Sequence, residues 1–470
     1  MSDYAGKRIA VIGMARTGMA VAEVMADLGA RVVLYDKKPA GELTEALTEA
    51  RRLGAEARPG TDIVDFDSID MLVTSPGVPR GAAVFAEAER RGVEVVSEIE
   101  LAYRVSRAPI VAVTGTNGKT TTTILIGSIL AEDGRETYIA GNVAAGEIKL
   151  PLITAAHKAS ANGMIAAEIS TFQIEWISAF RPKVALLLNV TGDHLDRHAS
   201  WEEYAALKAR IFENQTADDF AVINAENSFT ASLAPRLKAR VLRFARLSPV
   251  DEGAFVRGDE LVVRLDGRET VACRKSDILL RGEHNVENVL AAACAAIALG
   301  VKPESLVAAV RKLKPVEHRL EPVAVIDGVE YINNSMCTNV DAAVRSVEAI
   351  EKPQIVIAGG KDKGLDYAPL GEAFKRKAKH VVLIGASADI LREAAENAGF
   401  RALSDAGSMK EAVEIARSLA EPGDAVVLTP GCASFDMFSS FEERGQVFKD
   451  CVELFREQDS RNTGCADRVV

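Results

Sequence analysis

Short apolar runs alternate along most of the chain with longer stretches in which apolar residues recur every three or four positions. The runs read as strands buried on both faces and the stretches as helices packed on them, so the pattern predicts an α/β fold with mostly parallel sheets. Residues 7–13 predict a strand, 19–28 a helix and 31–35 a second strand ending at Asp36, an opening like that of a nucleotide-binding domain. Further strands are predicted at 71–74, 93–96, 110–114, 164–167 and 185–190, and helices at 121–130, 201–212 and 289–299. After the stretch Lys312-Leu313-Lys314-Pro315 the pattern restarts, with strands at 324–326, 354–358, 380–384 and 425–428, each followed by glycine or proline. This punctuation divides the chain into three expected domains, 1–107, 108–315 and 316–470. No internal repeat emerges, and compositional bias is confined to the polar tail 457–467.

Composition narrows the class of partner. The chain has 470 residues, 48% of them hydrophobic, which is enough for several cores, and a formal net charge of -11. That charge argues against nucleic acid or an anionic membrane as the main partner, whereas a small anionic ligand needs only a local basic site. Residues 1–8 lack a hydrophobic signal core and no apolar stretch approaches a membrane span, so a cytoplasmic protein is expected. Six cysteines with no Cys-x-x-Cys pair suggest reduced thiols rather than disulfides or a zinc site.

The most specific chemistry lies in Gly115-Thr116-Asn117-Gly118-Lys119-Thr120-Thr121, between a predicted strand and a predicted helix. Glycines let successive N–H groups face an anion, the helix N-terminus adds positive potential, Lys119 can reach terminal phosphates, and Thr120 can place its hydroxyl on magnesium. The loop is a shortened form, because Val113 stands where the standard phosphate loop has glycine. The earlier loop Gly13-Met14-Ala15-Arg16-Thr17-Gly18 lacks the middle glycine of a dinucleotide fingerprint, which argues against NAD. It leaves open another nucleotide diphosphate near Arg16, Thr17 and Asp36, or a plain tight turn. Glu168 ends a predicted strand, where a carboxylate can bind magnesium, and a second strand runs into the cluster Asp193-His194-Leu195-Asp196-Arg197-His198. Lys208 sits among apolar residues of a predicted helix, as a snorkelling side chain or as a buried, chemically modifiable amine. Asn285 and Asn288 are three apart, on one helix face if both are helical, where they could meet a base edge; Asn285 also reads as an N-cap.

These motifs, in this order, resemble the Mur ligases, ATP-dependent amide-forming enzymes of peptidoglycan precursor synthesis. Gly115 to Thr121 resembles the family's shortened loop, residues 189–198 its Asn-x-x-x-Asp-His-Leu-Asp-Arg-His segment, 282–288 its Gly-x-His-Asn-x-x-Asn segment, and His318-Arg319 its His-Arg element. Glu168-Ile169-Ser170-Thr171-Phe172-Gln173, Gly141-Asn142, Ser75-Pro76-Gly77 and the ending 429–445 look like the branch that adds D-glutamate to UDP-N-acetylmuramoyl-L-alanine. The resemblance spans essentially the whole chain. It implies an N-terminal Rossmann-like domain for the UDP moiety, a central P-loop ATPase domain, and a C-terminal Rossmann-like domain for the amino acid. It also implies ATP and two magnesium sites as cofactors, one on Thr120 and Glu168, the other on His194 and a carbamylated Lys208. Lys119, His194, Lys208 and Arg319 are the implied catalytic residues. Gly115, Thr116, Asn117, Gly118, Thr120, Thr121, Asn285, Asn288, Arg319 and Asn334 would contact ATP. Arg16, Thr17, Asp36, Ser75, Gly77 and Asn142 would hold the UDP substrate, and Thr338, Lys363, Ser434 and Phe441 the amino acid. A monomer is expected.

One segment departs from the pattern. Where the family has Asp-Ser-Lys-Ala-Thr-Asn, this chain reads Asn334-Ser335-Met336-Cys337-Thr338-Asn339, losing a carboxylate and a lysine, with Lys361 the candidate to compensate. The departure keeps two alternatives open: the same chemistry with L-glutamate or another amino acid, and a non-catalytic nucleotide-binding relative.

Overall fold

Strands form where the apolar runs lie, and their central members are buried along their whole length. The computed structural model describes residues 3–143, 148–191 and 200–466, with side chains described as far as residue 456. Among these residues the strands make three sheets. The first contains β1 (Arg8–Ile12), β2 (Arg31–Asp36), β3 (Glu56–Pro59), β4 (Met71–Thr74) and β5 (Glu94–Ser97), in the order β3-β2-β1-β4-β5 and parallel throughout. The helix Arg16–Asp27 follows β1 and buries Val21, Ala22, Val24 and Met25.

The second sheet has nine strands: β6 (Ile110–Thr114), β7 (Thr137–Gly141), β8 (Met164–Glu168), β9 (Val184–Leu187), β10 (Phe220–Asn224), β11 (Arg240–Ala245), β12 (Gly253–Arg257), β13 (Glu260–Leu265) and β14 (Arg268–Arg274). Their order is β14-β13-β12-β11-β10-β9-β6-β8-β7. The strands from β7 across to β12 pair parallel, and β12, β13 and β14 extend the edge as an antiparallel meander. The apolar-run reading missed that meander because its apolar runs are only two or three residues long and are flanked by charged residues, with turns at Gly258 and Gly267.

The third sheet runs β15-β16-β20-β17-β18-β19, from β15 (Glu321–Ile326), β16 (Val329–Asn333), β17 (Gln354–Gly359), β18 (Ala378–Ile384), β19 (Leu403–Ala406) and β20 (Ala425–Leu428). β15 and β16 form an antiparallel hairpin and the other pairs are parallel. Alternate side chains of β17 feed opposite cores. Ile355 and Ile357 pack with Val413, Phe448 and Val452, while Val356 and Ala358 pack with Leu370 and Phe374.

Contacts divide the chain into two compact units. Residues 1–190, 202–277 and 287–312 carry the first two sheets, and 191–201, 278–286 and 313–470 carry the third. Within the first unit, Glu100 joins the two sheets. It lies on the helix Glu98–Val105, is fully buried, and accepts the N–H groups of Ser178, Ala179 and Phe180 at 2.8–3.1 Å together with the Arg104 guanidinium at 2.8 Å. A buried carboxylate left without such donors would cost several kcal/mol, so the contact fixes the junction tightly. Among the described residues no helix is long and apolar enough to cross a membrane.

Candidate active site

The phosphate loop leaves β6 at Thr114 and enters the helix Lys119–Glu132, two residues earlier than the periodicity predicts. Gly118 turns the chain with φ 84°, and a Cβ there would stand 2.3 Å from Asn288 Oδ1. Only glycine meets both demands. Asn189 clamps the loop: its carbonyl accepts Thr116 N–H at 3.0 Å, its Oδ1 accepts Asn117 N–H at 2.8 Å, and its Nδ2 donates to Asn117 O at 3.1 Å. Thr122 donates to Asn288 Oδ1 at 3.3 Å, which ties the helix Glu283–Ala298 to the loop. Asn285 lies in the first turn of that helix rather than capping it, and its Nδ2 donates to Arg281 O at 2.7 Å.

Three side chains converge at the end of β8. Thr120 Oγ1 donates to Glu168 Oε2 at 2.7 Å, and Asn142 Nδ2 donates to Glu168 Oε1 at 3.0 Å. Asn142, expected on the UDP side, thus stands against the Glu168 carboxylate. A hydroxyl and a buried carboxylate beside a helix N-terminus are hard oxygen donors and fit magnesium. Lys119 Nζ donates to Thr116 O at 2.9 Å, folded back over its own loop. Lys208, on the helix Trp201–Ala209, is 2% exposed, donates to Gly115 O at 2.8 Å, and has its Nζ 4.5 Å from the centroid of the Tyr204 ring. Burial is therefore the reading that holds for this lysine. His194 and the rest of its cluster lie outside the described residues.

The first sheet gathers Arg16, Thr17, Asp36, Ser75 and Gly77 at the C-terminal ends of β1, β2 and β4, the edge where parallel sheets bind ligands. Asp36 accepts Met14 N–H at 2.8 Å and Lys38 N–H at 3.0 Å, so its carboxylate braces the first loop. Gly18 completes that turn, because a Cβ there would lie 1.8 Å from Gly13 O.

In the second unit, Thr338, Lys363 and Ser434 sit on the loops that follow β16, β17 and β20, and Phe441 opens the long helix Phe441–Ala466. Arg319 stands in a turn whose neighbours are both left-handed, His318 with φ 62° and Leu320 with φ 42°. Hydrogen bonds hold this uncommon shape. Met336 N–H donates to His318 O at 3.0 Å, Leu320 N–H to Asn334 Oδ1 at 3.1 Å, and Asn333 Nδ2 to His318 Nδ1 at 2.9 Å and Glu321 Oε2 at 3.0 Å. Asn334 thus serves the turn through its oxygen, while its Nδ2 is buried without a partner among the described residues. Met336, in the place of the family's lysine, touches Arg319 through sulfur at 3.5 Å, and Lys361 bridges Ala433 through its backbone. His284 stays neutral, its pKa pulled down to about 3 by burial and then by the charges of Arg319 and Arg345.

Sequence reasoning assigned no role to Asn189, Tyr204, Asn333 or Arg444. The first two stand inside or close to recognised motifs, and a search for polar groups near Lys119 would have found them. Arg444 lies within the matched ending 429–445 but was not singled out there, because an arginine in the polar first turns of a helix is ordinarily solvated.

Comparison with known proteins agrees with this geometry. Residues 7–97 match the Mur ligase MurD-like N-terminal domain, 113–296 the Mur ligase middle domain, and 318–432 the Mur ligase glutamate ligase domain. A UDP-N-acetylmuramoylalanine--D-glutamate ligase of Pelotomaculum thermopropionicum is 45% identical over 456 residues, 96% of this chain and 98% of that protein. A protein of the same name from Koribacter versatilis is 42% identical over 460 residues, 98% of this chain and all of the other. Among solved structures, a UDP-N-acetylmuramate-alanine ligase from Thermotoga maritima shares the fold, with a TM-score of 0.60 at 18% identity over 96% of this chain and 100% of that one. With three domains matched in order and full-length relatives above 40% identity, the chain belongs to the Mur ligase family.

Proposed function

We propose that the protein is an ATP-dependent ligase that joins D-glutamate to the alanyl carboxylate of UDP-N-acetylmuramoyl-L-alanine in peptidoglycan precursor synthesis. The observation that carries this reading is the 45% identity, over nearly the full chain, to a relative named for that reaction, met by a phosphate loop whose Thr120 forms one bonded cluster with Glu168 and Asn142. In this reading residues 1–107 take the UDP substrate through Arg16, Thr17, Asp36, Ser75 and Gly77, residues 108–315 take ATP, and residues 316–470 take glutamate through Thr338, Lys363, Ser434 and Phe441. The alanyl carboxylate attacks the γ-phosphorus, ADP leaves, and the glutamate amine displaces phosphate from the resulting acyl phosphate.

Two anions must meet, so the site needs cations and little water. Lys119 screens the phosphates. Thr120 and Glu168 hold one magnesium ion, and His194 with a carbamylated Lys208 holds a second; these ions supply charge neutralisation on the phosphates. A neutral lysine amine adds carbon dioxide with loss of a proton, and the product carries the oxygen ligands an amine lacks. Asn285 and Asn288 meet the base, and Arg319, held out by its strained turn, meets the phosphates. The protein acts in the cytoplasm as a monomer, for which sedimentation at one chain's mass is the check.

The test is ADP release by purified protein with ATP, UDP-N-acetylmuramoyl-L-alanine and either D- or L-glutamate. Release that requires both the UDP substrate and D-glutamate is the expected result. Preference for L-glutamate would replace the amino acid in this reading, and ATP binding without turnover under every pairing would make the protein a non-catalytic relative.

A further inference from the structure

The second unit contains a charge that folding alone does not explain. Arg444, in the first turn of the helix Phe441–Ala466, is 1% exposed. Its guanidinium donates to Ser335 Oγ at 3.0 Å, Ser335 O at 2.9 Å, Cys432 O at 3.1 Å and Ala433 O at 3.2 Å. All of these acceptors are neutral, and no carboxylate among the described residues is paired with it. Asp436, whose field reaches it, spends an oxygen on Ala386 N–H at 2.9 Å. Burial pulls the guanidinium down to about 10, which leaves it charged at neutral pH. An unpaired buried cation destabilises a fold relative to an apolar residue of similar size, so the position calls for a second reason.

Its neighbours supply one. Ser335, bonded to Arg444, also donates from Oγ to the carbonyl of Phe441 at 2.8 Å and lies three residues before Thr338. Ala433, bonded to Arg444, precedes Ser434 and exchanges both backbone hydrogen bonds with Lys361, two residues before Lys363. Each of the four positions assigned to the amino acid therefore lies within three residues of an atom in the Arg444 network.

We infer that Arg444 is a positioning residue for the incoming amino acid: it clips together the loops after β16 and β20, and its uncompensated charge favours an amino acid bearing a second carboxylate. The inference rests on the reading of this unit as the glutamate site. Arg444 itself does not touch the substrate. Its fork sets where Thr338, Ser434 and Phe441 stand, and its field acts across a dry interior where a charge is felt more strongly than in water.

The experiment compares wild type, Arg444→Lys, Arg444→Gln and Ser335→Ala as full chains, with thermal melting alongside kinetics. The readouts are KM for glutamate, KM for ATP, and the ratio of glutamate KM to the inhibition constant of glutamine, its neutral isostere. Arg444→Gln should raise KM for glutamate about thirtyfold, leave KM for ATP within about threefold, and shrink the preference for glutamate over glutamine about tenfold. Arg444→Lys should keep the preference while raising KM for glutamate about fivefold, because the charge stays and the fork is lost. Ser335→Ala should raise that KM a few-fold without touching the preference. An Arg444→Gln enzyme with unchanged preference overturns the inference. If that variant does not fold, Arg444→Lys decides: loss of the preference, or an unchanged KM for glutamate, overturns it. Wild type inert towards glutamate overturns the functional reading instead, so the two failures are told apart.

Discussion

Both compact units bury a cation against backbone carbonyl oxygens, and the choice of cation differs. In the first unit Lys208 donates to Gly115 O; in the second Arg444 donates to Ser335, Cys432 and Ala433. A lysine can shed its proton in a dry setting and then react, whereas an arginine keeps its charge and offers five fixed donors. The phosphate-loop site thus holds a group that chemistry can convert, and the C-terminal site a strut that chemistry leaves alone. Backbone tells the same story. The left-handed turn of the phosphate loop is made by Gly118, which reaches that shape at no steric cost, while the turn around Arg319 imposes it on His318 and Leu320 and holds it with side chains from β16 and the segment after it. One site is permitted by its local sequence, and the other is enforced from a distance.

The largest expected effect tests the reactive half of that contrast. Lys208→Ala should lower kcat about 10³-fold, the scale of losing a fixed electrostatic group at a developing charge, and a small carboxylate in the assay should restore part of it. Lys208→Arg should be as impaired as Lys208→Ala, since a guanidinium forms no carbamate; an active arginine enzyme would erase the difference between the two cations. Next comes Gly118→Ala. A Cβ at 2.3 Å from Asn288 Oδ1 and a left-handed cost of about 1–2 kcal/mol should raise KM for ATP about tenfold or more, and unchanged ATP kinetics would show the loop to be softer than drawn. The smallest effect on turnover is expected from Asn333→Ala, which removes the donor to His318 Nδ1 and Glu321. It should cost about 2 kcal/mol of stability in a melting or denaturant experiment and lower kcat a few-fold as the turn relaxes. A variant that melts normally and turns over normally would mean that the turn needs no enforcement.

Legibility in the sequence follows this same division. The strands around Val111, Ala166 and Val356 announce themselves because parallel strands buried on both faces are continuous apolar runs. Gly118, Lys119 and Thr120 are readable because a phosphate loop is made by consecutive residues. The meander β12 to β14 stayed hidden because its apolar runs are short and flanked by charged residues, and Asn285 reads as an N-cap until the helix is seen to begin at Glu283. The roles of Arg444 and Asn333 were illegible for a firmer reason. What makes them matter is burial and partners far away in the chain, such as Ser335 109 residues before Arg444, and neither leaves a local trace.

Glu100 bears on how this architecture can be taken apart. The chain changes character near residue 107, which invites treating the first sheet as a module to be expressed, swapped or studied alone. Yet a fragment cut there keeps Glu100 and discards Ser178, Ala179 and Phe180, whose N–H groups it accepts. The isolated piece would have to hydrate or protonate a carboxylate that the whole chain seals away. Modularity in this protein is written in its connectivity, while its mechanical seams run elsewhere.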